Sequence, residues 1–229
     1  VALSADGLVV ARSGIQVVDL FQYDYSWKPY GSISLPGVTS PTVAVSRDGK
    51  TVAIGAPSSY SKNYVIVKHN HQKTDSSTPN WQQLGQSISG MGDSDLFGNF
   101  VSLSANGKTL AVGAPGDGIN QSYVRVYDYE KSIWKQRAEL EVGQTLESMS
   151  ISIDGQVVAL GTSSSFSNPN VTVYKYDATQ MEWKQVGQSL KGFGLSVSLS
   201  ADGTRLAAGG DVPSSSTMGR VQVFALKEM

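Results

Sequence analysis

An all-β fold, a five-bladed β-propeller of four-stranded antiparallel blades, is predicted by three features of these 229 residues. A Ser-x-Asp-Gly or Ser-x-Asn-Gly phrase recurs five times, apolar residues alternate on either side of it, and a tryptophan opens a strand at one fixed place in four copies. The dipeptides Asp6-Gly7, Asp48-Gly49, Asn106-Gly107, Asp154-Gly155 and Asp202-Gly203 stand 42, 58, 48 and 48 residues apart. A period of that length marks a repeat architecture, in which one unit cannot bury its apolar face alone and neighbours must stack.

Each element of the unit has its own reason. The first strand alternates, as in Val101 and Leu103 or Val197 and Leu199, which is the period of a half-buried strand. Asp-Gly or Asn-Gly between two such runs predicts a hairpin with a type I′ turn. The second strand is nearly continuous in its apolar residues ("TVAIG" from Thr51, "TLAVG" from Thr109, "VVALG" from Val157, "RLAAG" from Arg205), which implies burial on both faces. Its closing glycines, Gly55, Gly113, Gly161 and Gly209, mark places where neighbouring blades approach closely; the first copy carries Ser13 there. A third strand mixes valine with aromatics, and the fourth begins at Trp27, Trp81, Trp134 or Trp183. A tryptophan repeated at one position predicts packing between blades, with a sugar-stacking surface as the alternative.

The repeats run over about 1–37, 38–90, 91–143, 144–192 and 193–229, one domain in all. The fifth copy reaches Met229 without a tryptophan strand, so one outer strand is missing. Closure of a ring removes exposed sheet edges, so residues outside Val1–Met229 are expected to supply that strand, or else the fifth blade has three.

Phrases such as "SANGKTLAVGAPG" and "FGLSVSLSADGTRLAAGG" resemble the FG-GAP and WD40-like propeller repeats of secreted and surface proteins. Phe97-Gly98 and Phe193-Gly194 match the Phe-Gly of that pattern, and Gly55-Ala56-Pro57 and Gly113-Ala114-Pro115 match its Gly-Ala-Pro. The resemblance covers essentially the whole chain and implies a scaffold for protein contacts in an extracytoplasmic setting. It departs at the calcium loop of integrin-type repeats, Asp-x-Asp-x-Asp-Gly, which is shortened here to Asp-Gly or Asn-Gly. A single carboxylate cannot supply the six or more oxygens that calcium takes, so that function does not carry over.

Composition narrows the partners. A formal net charge of -1 with 16% charged residues gives no electrostatic footprint for nucleic acid or an anionic membrane surface. The absence of cysteine excludes disulfides and thiolate chemistry. No apolar run reaches the roughly 18 residues of a membrane-spanning helix.

Chemistry is sparse. The longer, unlike loops gather on the face opposite the Asp-Gly turns, where a rigid scaffold usually carries its binding residues; Tyr60, Asp93, Asp95, Asp117 and Phe166 are the candidates for partner contact. His69 and His71 share a strand face, yet no third metal ligand has a recognisable spacing. Asp93 and Asp95 would hold calcium only weakly. Serine is abundant without a histidine placed to activate it, and no Gly-x-Ser-x-Gly elbow occurs. The sequence therefore leads us to expect no catalytic residue, cofactor or metal, and a non-catalytic module that binds a protein partner, including as a subunit of a larger assembly. The alternative is a carbohydrate-binding or glycan-processing propeller that uses loop carboxylates and aromatics, which requires an open tryptophan face beside two carboxylates in a pocket.

Overall fold

Among the described residues, twenty-one strands fall into five antiparallel sheets, each built from consecutive segments of the chain. The computed structural model describes residues 1–58, 62–71, 79–92, 95–116, 121–164, 167–211 and 219–226, and no helix occurs among them. Blade 1 holds β1 (Ala2–Leu3), β2 (Val9–Gly14), β3 (Val17–Tyr23) and β4 (Trp27–Ser34). Blade 2 holds β5 (Thr42–Val45), β6 (Thr51–Ala56) and β7 (Tyr64–Asn70), with β8 (Trp81–Gln83) and β9 (Ile88–Ser89) sharing the outer edge of β7. Blade 3 is β10 (Phe100–Leu103), β11 (Thr109–Ala114), β12 (Ser122–Glu130) and β13 (Ile133–Val142). Blade 4 is β14 (Thr145–Ile151), β15 (Val157–Ser164), β16 (Ser167–Asp177), β17 (Glu182–Gln185) and β18 (Leu190–Lys191), the last two again sharing one edge. Blade 5 has three strands, β19 (Ser196–Leu199), β20 (Arg205–Asp211) and β21 (Gly219–Ala225). Up-and-down sheets stacked in this way are the blades of a β-propeller.

The first hairpin turn differs from the type I′ expectation in all five blades. Positive φ falls on the glycine alone, between 67° and 74° at Gly7, Gly49, Gly107, Gly155 and Gly203, and not on the preceding Asp or Asn. The glycine N–H bonds back to the serine carbonyl three residues earlier, as in Gly107 to Ser104 at 2.9 Å, which makes a type I turn followed by a left-handed glycine. Serine decides this geometry. Its hydroxyl donates to the Asp or Asn side chain (Ser104 Oγ to Asn106 Oδ1, 2.8 Å) and accepts the first amide of the second strand (Thr109 N, 2.9 Å). The same pair of bonds recurs at Ser4, Ser46, Ser152 and Ser200. Local side-chain bonding of this kind outcompetes the two-residue turn.

These turns also join one blade to the next. Asp6 N donates to Arg47 O, Arg47 N to Ala105 O, Ala105 N to Ile153 O and Ile153 N to Ala201 O, so a chain of backbone bonds runs through all five blades.

Second strands form the interior, as their continuous apolarity predicts: every residue of β6 and of β11 is buried. Against them lies one repeated pair on the third strand. Val18 and Leu20, Val65 and Val67, Val124 and Val126, and Val171 and Val173 are all buried. Their counterparts in blade 5, Val221 and Val223, are 78% and 63% exposed. Register makes the comparison firm, since Val171 pairs with Gly161 in blade 4 as Val221 pairs with Gly209 in blade 5. At the other end Trp27 is 48% exposed. The two end blades therefore leave their outward faces open to solvent, and a ring closed by these five blades on one another is not formed.

The closing glycines meet their neighbours as expected in three blades. A Cβ at Gly55 would lie 2.0 Å from Gly98 O, at Gly161 2.1 Å from Gly194 O, and at Gly113 2.5 Å from Leu146 Cδ2; at Gly209 the nearest atom is an ordinary 3.7 Å away. Two of these contacts involve the Phe-Gly dipeptides. Phe97 and Phe193 are buried between blades, and the following glycine carbonyls accept Thr42 Oγ1 at 2.5 Å and Ser148 Oγ at 2.9 Å.

Candidate functional site

On the face opposite the Ser-x-Asp-Gly turns, a cavity of about 310 Å³ is lined by Met91, Gly92, Asp95, Gln121, Ser122, Tyr123, Glu139 and Glu141. It lies where the segment leading out of blade 2 meets β12 and β13 of blade 3. β12 places Tyr123 and Arg125 on one face, and β13 places Glu139 and Glu141 on one face, because alternate residues of a strand share a side.

Asp95 is the hub. It is buried, and its Oδ2 accepts the Tyr123 hydroxyl, Met91 N at 2.8 Å and Gly92 N at 3.2 Å. Its Oδ1 accepts Phe97 N at 3.0 Å and Asn63 Nδ2 at 3.2 Å, while its carbonyl accepts Gly116 N at 3.3 Å. One residue thus ties together three parts of this face: its carboxylate holds the β6–β7 connection, the segment between blades 2 and 3 and β12, and its backbone carbonyl holds the start of the β11–β12 connection. A buried anion persists only when its oxygens are satisfied in this way. The phenol of Tyr123, buried and bonded to that carboxylate, is pushed well above its ordinary pKa, chiefly by burial. It stays protonated and serves as a donor.

Around this fixed base the cavity offers a mixed surface. Arg125 pairs with Glu139 (Nε to Oε2, 2.6 Å) and lies over the Tyr123 ring at 4.9 Å. Glu141 is exposed, and Met91 is 58% exposed. The arrangement presents an apolar side chain beside a carboxylate, fitted for a cationic or amphipathic group of a partner. Glu139 is held by Arg125, and the oxygens of Asp95 are taken.

Of the residues singled out in the sequence, Asp95 enters this site, though beneath its surface and not as a displayed ligand. Tyr60, Asp93, Asp117 and Phe166 lie outside the described residues. Met91, Tyr123 and Glu141 were not singled out. For Tyr123 the signal was present: an aromatic opens the third strand at Tyr64 and Tyr123, next to the valine that pairs with the closing glycine.

His69 and His71 meet edge to face at 4.8 Å, with His69 Nδ1 2.9 Å from Thr51 Oγ1. No group of three His, Asp or Glu suited to a metal is found among the described residues. A second recess of about 280 Å³ lies among the first strands, and its lining includes Ser13, Thr42, Asn99, Phe100 and Met149.

The tryptophans divide. Trp134 is buried against blade 2, and Trp81 and Trp183 are half-buried against blades 1 and 3, as inter-blade packing requires. Trp27 stacks edge-on with Tyr23 at 5.4 Å and lines neither cavity.

No protein-family model matches the chain, and no curated protein matches it either. Solved structures do. Hydrazine synthase of Kuenenia stuttgartiensis aligns over 99% of this chain and 62% of its own, at 16% identity and a TM-score of 0.66. A protein from Lactobacillus plantarum aligns over 97% and 68%, at 18% identity and 0.63. TolB of Acinetobacter baumannii aligns over 98% and 51%, at 17% identity and 0.57. The chain spans between about half and two thirds of the length of these proteins. At such identities the likeness shows the fold, a β-propeller, and nothing narrower; one fold carries an enzyme and a TolB alike.

Proposed function

We propose that the chain is a non-catalytic interaction module that binds a protein partner through the loop face around Met91, Tyr123 and Glu141. The observation that carries this reading is the state of Asp95, whose carboxylate is consumed in fixing the β6–β7 connection, the segment between blades 2 and 3 and Tyr123 of β12 into one preformed surface. Surfaces fixed before binding lose little conformational entropy on association, which is what a recognition module needs and what a reaction centre would not spend a buried carboxylate on. The carbohydrate reading requires an open tryptophan beside two carboxylates in a pocket, and Trp27 has no such surroundings. An extracytoplasmic location belongs to the same proposal and rests on the resemblance of the repeats to those of secreted proteins.

Affinity enrichment from the native source with three forms of the protein tests the reading. Wild type and a turn-face variant, Lys50→Glu, should retain the same partner, and Glu141→Lys should lose it. Equal retention by both variants would move the interface off this face.

A further inference from the structure

The strongest unassigned feature is a vacancy in the repeat. Trp81 and Trp134 each pack onto the preceding blade at one position of the unit, three to five residues beyond that blade's own tryptophan. Trp81 meets Tyr30-Gly31-Ser32, with ring centroids of Trp81 and Tyr30 5.8 Å apart. Trp134 meets Leu84-Gly85-Gln86 most completely. Its indole N–H donates to Leu84 O at 2.8 Å, its backbone N–H donates to Gln86 Oε1 at 2.9 Å, and its carbonyl accepts Gln86 Nε2 at 2.7 Å. Glycine is needed at the centre because the ring lies on the backbone: a Cβ would come within 2.6 Å of Trp81 at Gly31 and within 2.8 Å of Trp134 at Gly85.

Blade 4 repeats the receptor as Val186-Gly187-Gln188, matching Leu84-Gly85-Gln86 in type and in backbone, with φ of +64° at Gly187 and +74° at Gly85. Among the described residues nothing lies within 4 Å of a Cβ at Gly187, and Gln188 is exposed. Beside this receptor, where blades 1 and 2 hold a ring, there is a cavity of about 480 Å³ whose lining includes Gln185, Val186, Thr204 and Leu226. Leu226 stands where Tyr129 stands in blade 3, as the matching bonds Leu226 N to Thr204 O and Tyr129 N to Lys108 O show. Tyr129 is the residue that pairs with Trp134 across the outer edge of the blade. The slot therefore lies next to the outer edge of β21, which pairs with no further strand among the described residues.

We infer that this slot is a docking site for a tryptophan-led β-strand, which adds antiparallel to β21 and seats its indole on Gly187. The occupant is read from continuity with the two filled interfaces, those of Trp81 and Trp134. Main-chain bonds to β21 supply strand addition, and the clasp of Gln188 on the backbone of the incoming tryptophan supplies register. This site is separate from the loop face, and its failure would leave that reading untouched.

The probe is a synthetic peptide with the sequence of residues 132–142, titrated into the 229-residue protein by calorimetry, with hydrogen exchange of the β21 amides read in parallel. Saturable one-to-one binding that slows exchange along β21 is expected. Affinity should fall about tenfold or more when the peptide carries Trp134→Ala, or when the protein carries Gln188→Ala, a change at an exposed position that leaves folding intact. Absence of saturable binding, or equal binding of the Trp134→Ala peptide, overturns the inference. So does a dimer in sedimentation that excludes the peptide and dissolves in Gln188→Ala, because the slot would then belong to a second copy.

Discussion

The side-chain amide of Gln86 closes on both backbone polar groups of Trp134, a residue one blade away, and so acts as a piece of strand supplied by a side chain. Removing it leaves a part-buried N–H and C=O without partners. We expect Gln86→Ala to cost about 1–3 kcal/mol in urea unfolding. The matching change in blade 4, Gln188→Ala, should stay within about 0.5 kcal/mol because its slot is empty. Similar losses at both positions would mean that the amide acts within its own blade.

A parallel contrast tests the open face of blade 5. Val173 and Val223 hold equivalent places, one 4% and the other 63% exposed. Val173→Ala should destabilise by about 2 kcal/mol, from lost transfer energy plus a residual cavity. Val223→Ala should be near neutral, within about 0.5 kcal/mol. Denaturant midpoints of the two variants, measured in the same buffer, decide it.

Asp95 should be far more sensitive than a loop carboxylate normally is. Asp95→Ala strips the acceptor from Met91, Gly92 and Phe97 amides, from Asn63 and from Tyr123, and we expect a loss of about 3 kcal/mol or more. Tyr123→Phe removes one of those bonds and should cost about 1 kcal/mol. A stability change below that of Tyr123→Phe for Asp95→Ala would show that water takes over the freed amides.

What could be read from the sequence depended on how local its cause is. Strand alternation and the doubly buried second strands are local consequences of period and were legible, down to the closing glycines. The turn type was not, because Asp-Gly was read alone and the serine two residues earlier rewires it. Burial of Asp95 was illegible for a related reason: in "GDSDLFGN" it looks like a solvated loop acid, and its partners Asn63 and Tyr123 come from distant segments. The tryptophan receptor could have been found, since "LGQS" and "VGQS" begin three residues after Trp81 and Trp183, but its meaning lies in which blade faces it.

Acid sensitivity should have a component at His69. Burial holds its pKa below the ordinary histidine value, with repulsion from His71 acting the same way and Asp48 against it. The unfolded chain therefore binds the proton more readily than the fold does. This contribution to stability is complete above the unfolded value of ~6.5 and is lost as pH falls below it. Replacing His69 by Gln should flatten the fall in Tm between ~pH 7.5 and ~pH 5.5. An unchanged slope would assign the acid response to the carboxylates.

Turn glycines separate backbone strain from contact between blades. Gly7 and Gly107 have nearly the same φ, +74° and +67°, so alanine at either must adopt a left-handed conformation at a cost of about 1 kcal/mol. Only Gly107 also faces a neighbour: a Cβ there would sit 2.7 Å from Thr51 Oγ1, whereas Gly7 meets nothing within 4 Å. Thr51 cannot give way freely, because its amide is bonded to Ser46 Oγ and its hydroxyl to His69 Nδ1. Overpacking of that kind adds about 1–3 kcal/mol. We expect Gly7→Ala to lower stability by about 1 kcal/mol and Gly107→Ala by about twice that or more. Equal losses in urea titrations would locate the requirement for glycine wholly in the turn and leave the seam between blades 2 and 3 slack enough to absorb a methyl group.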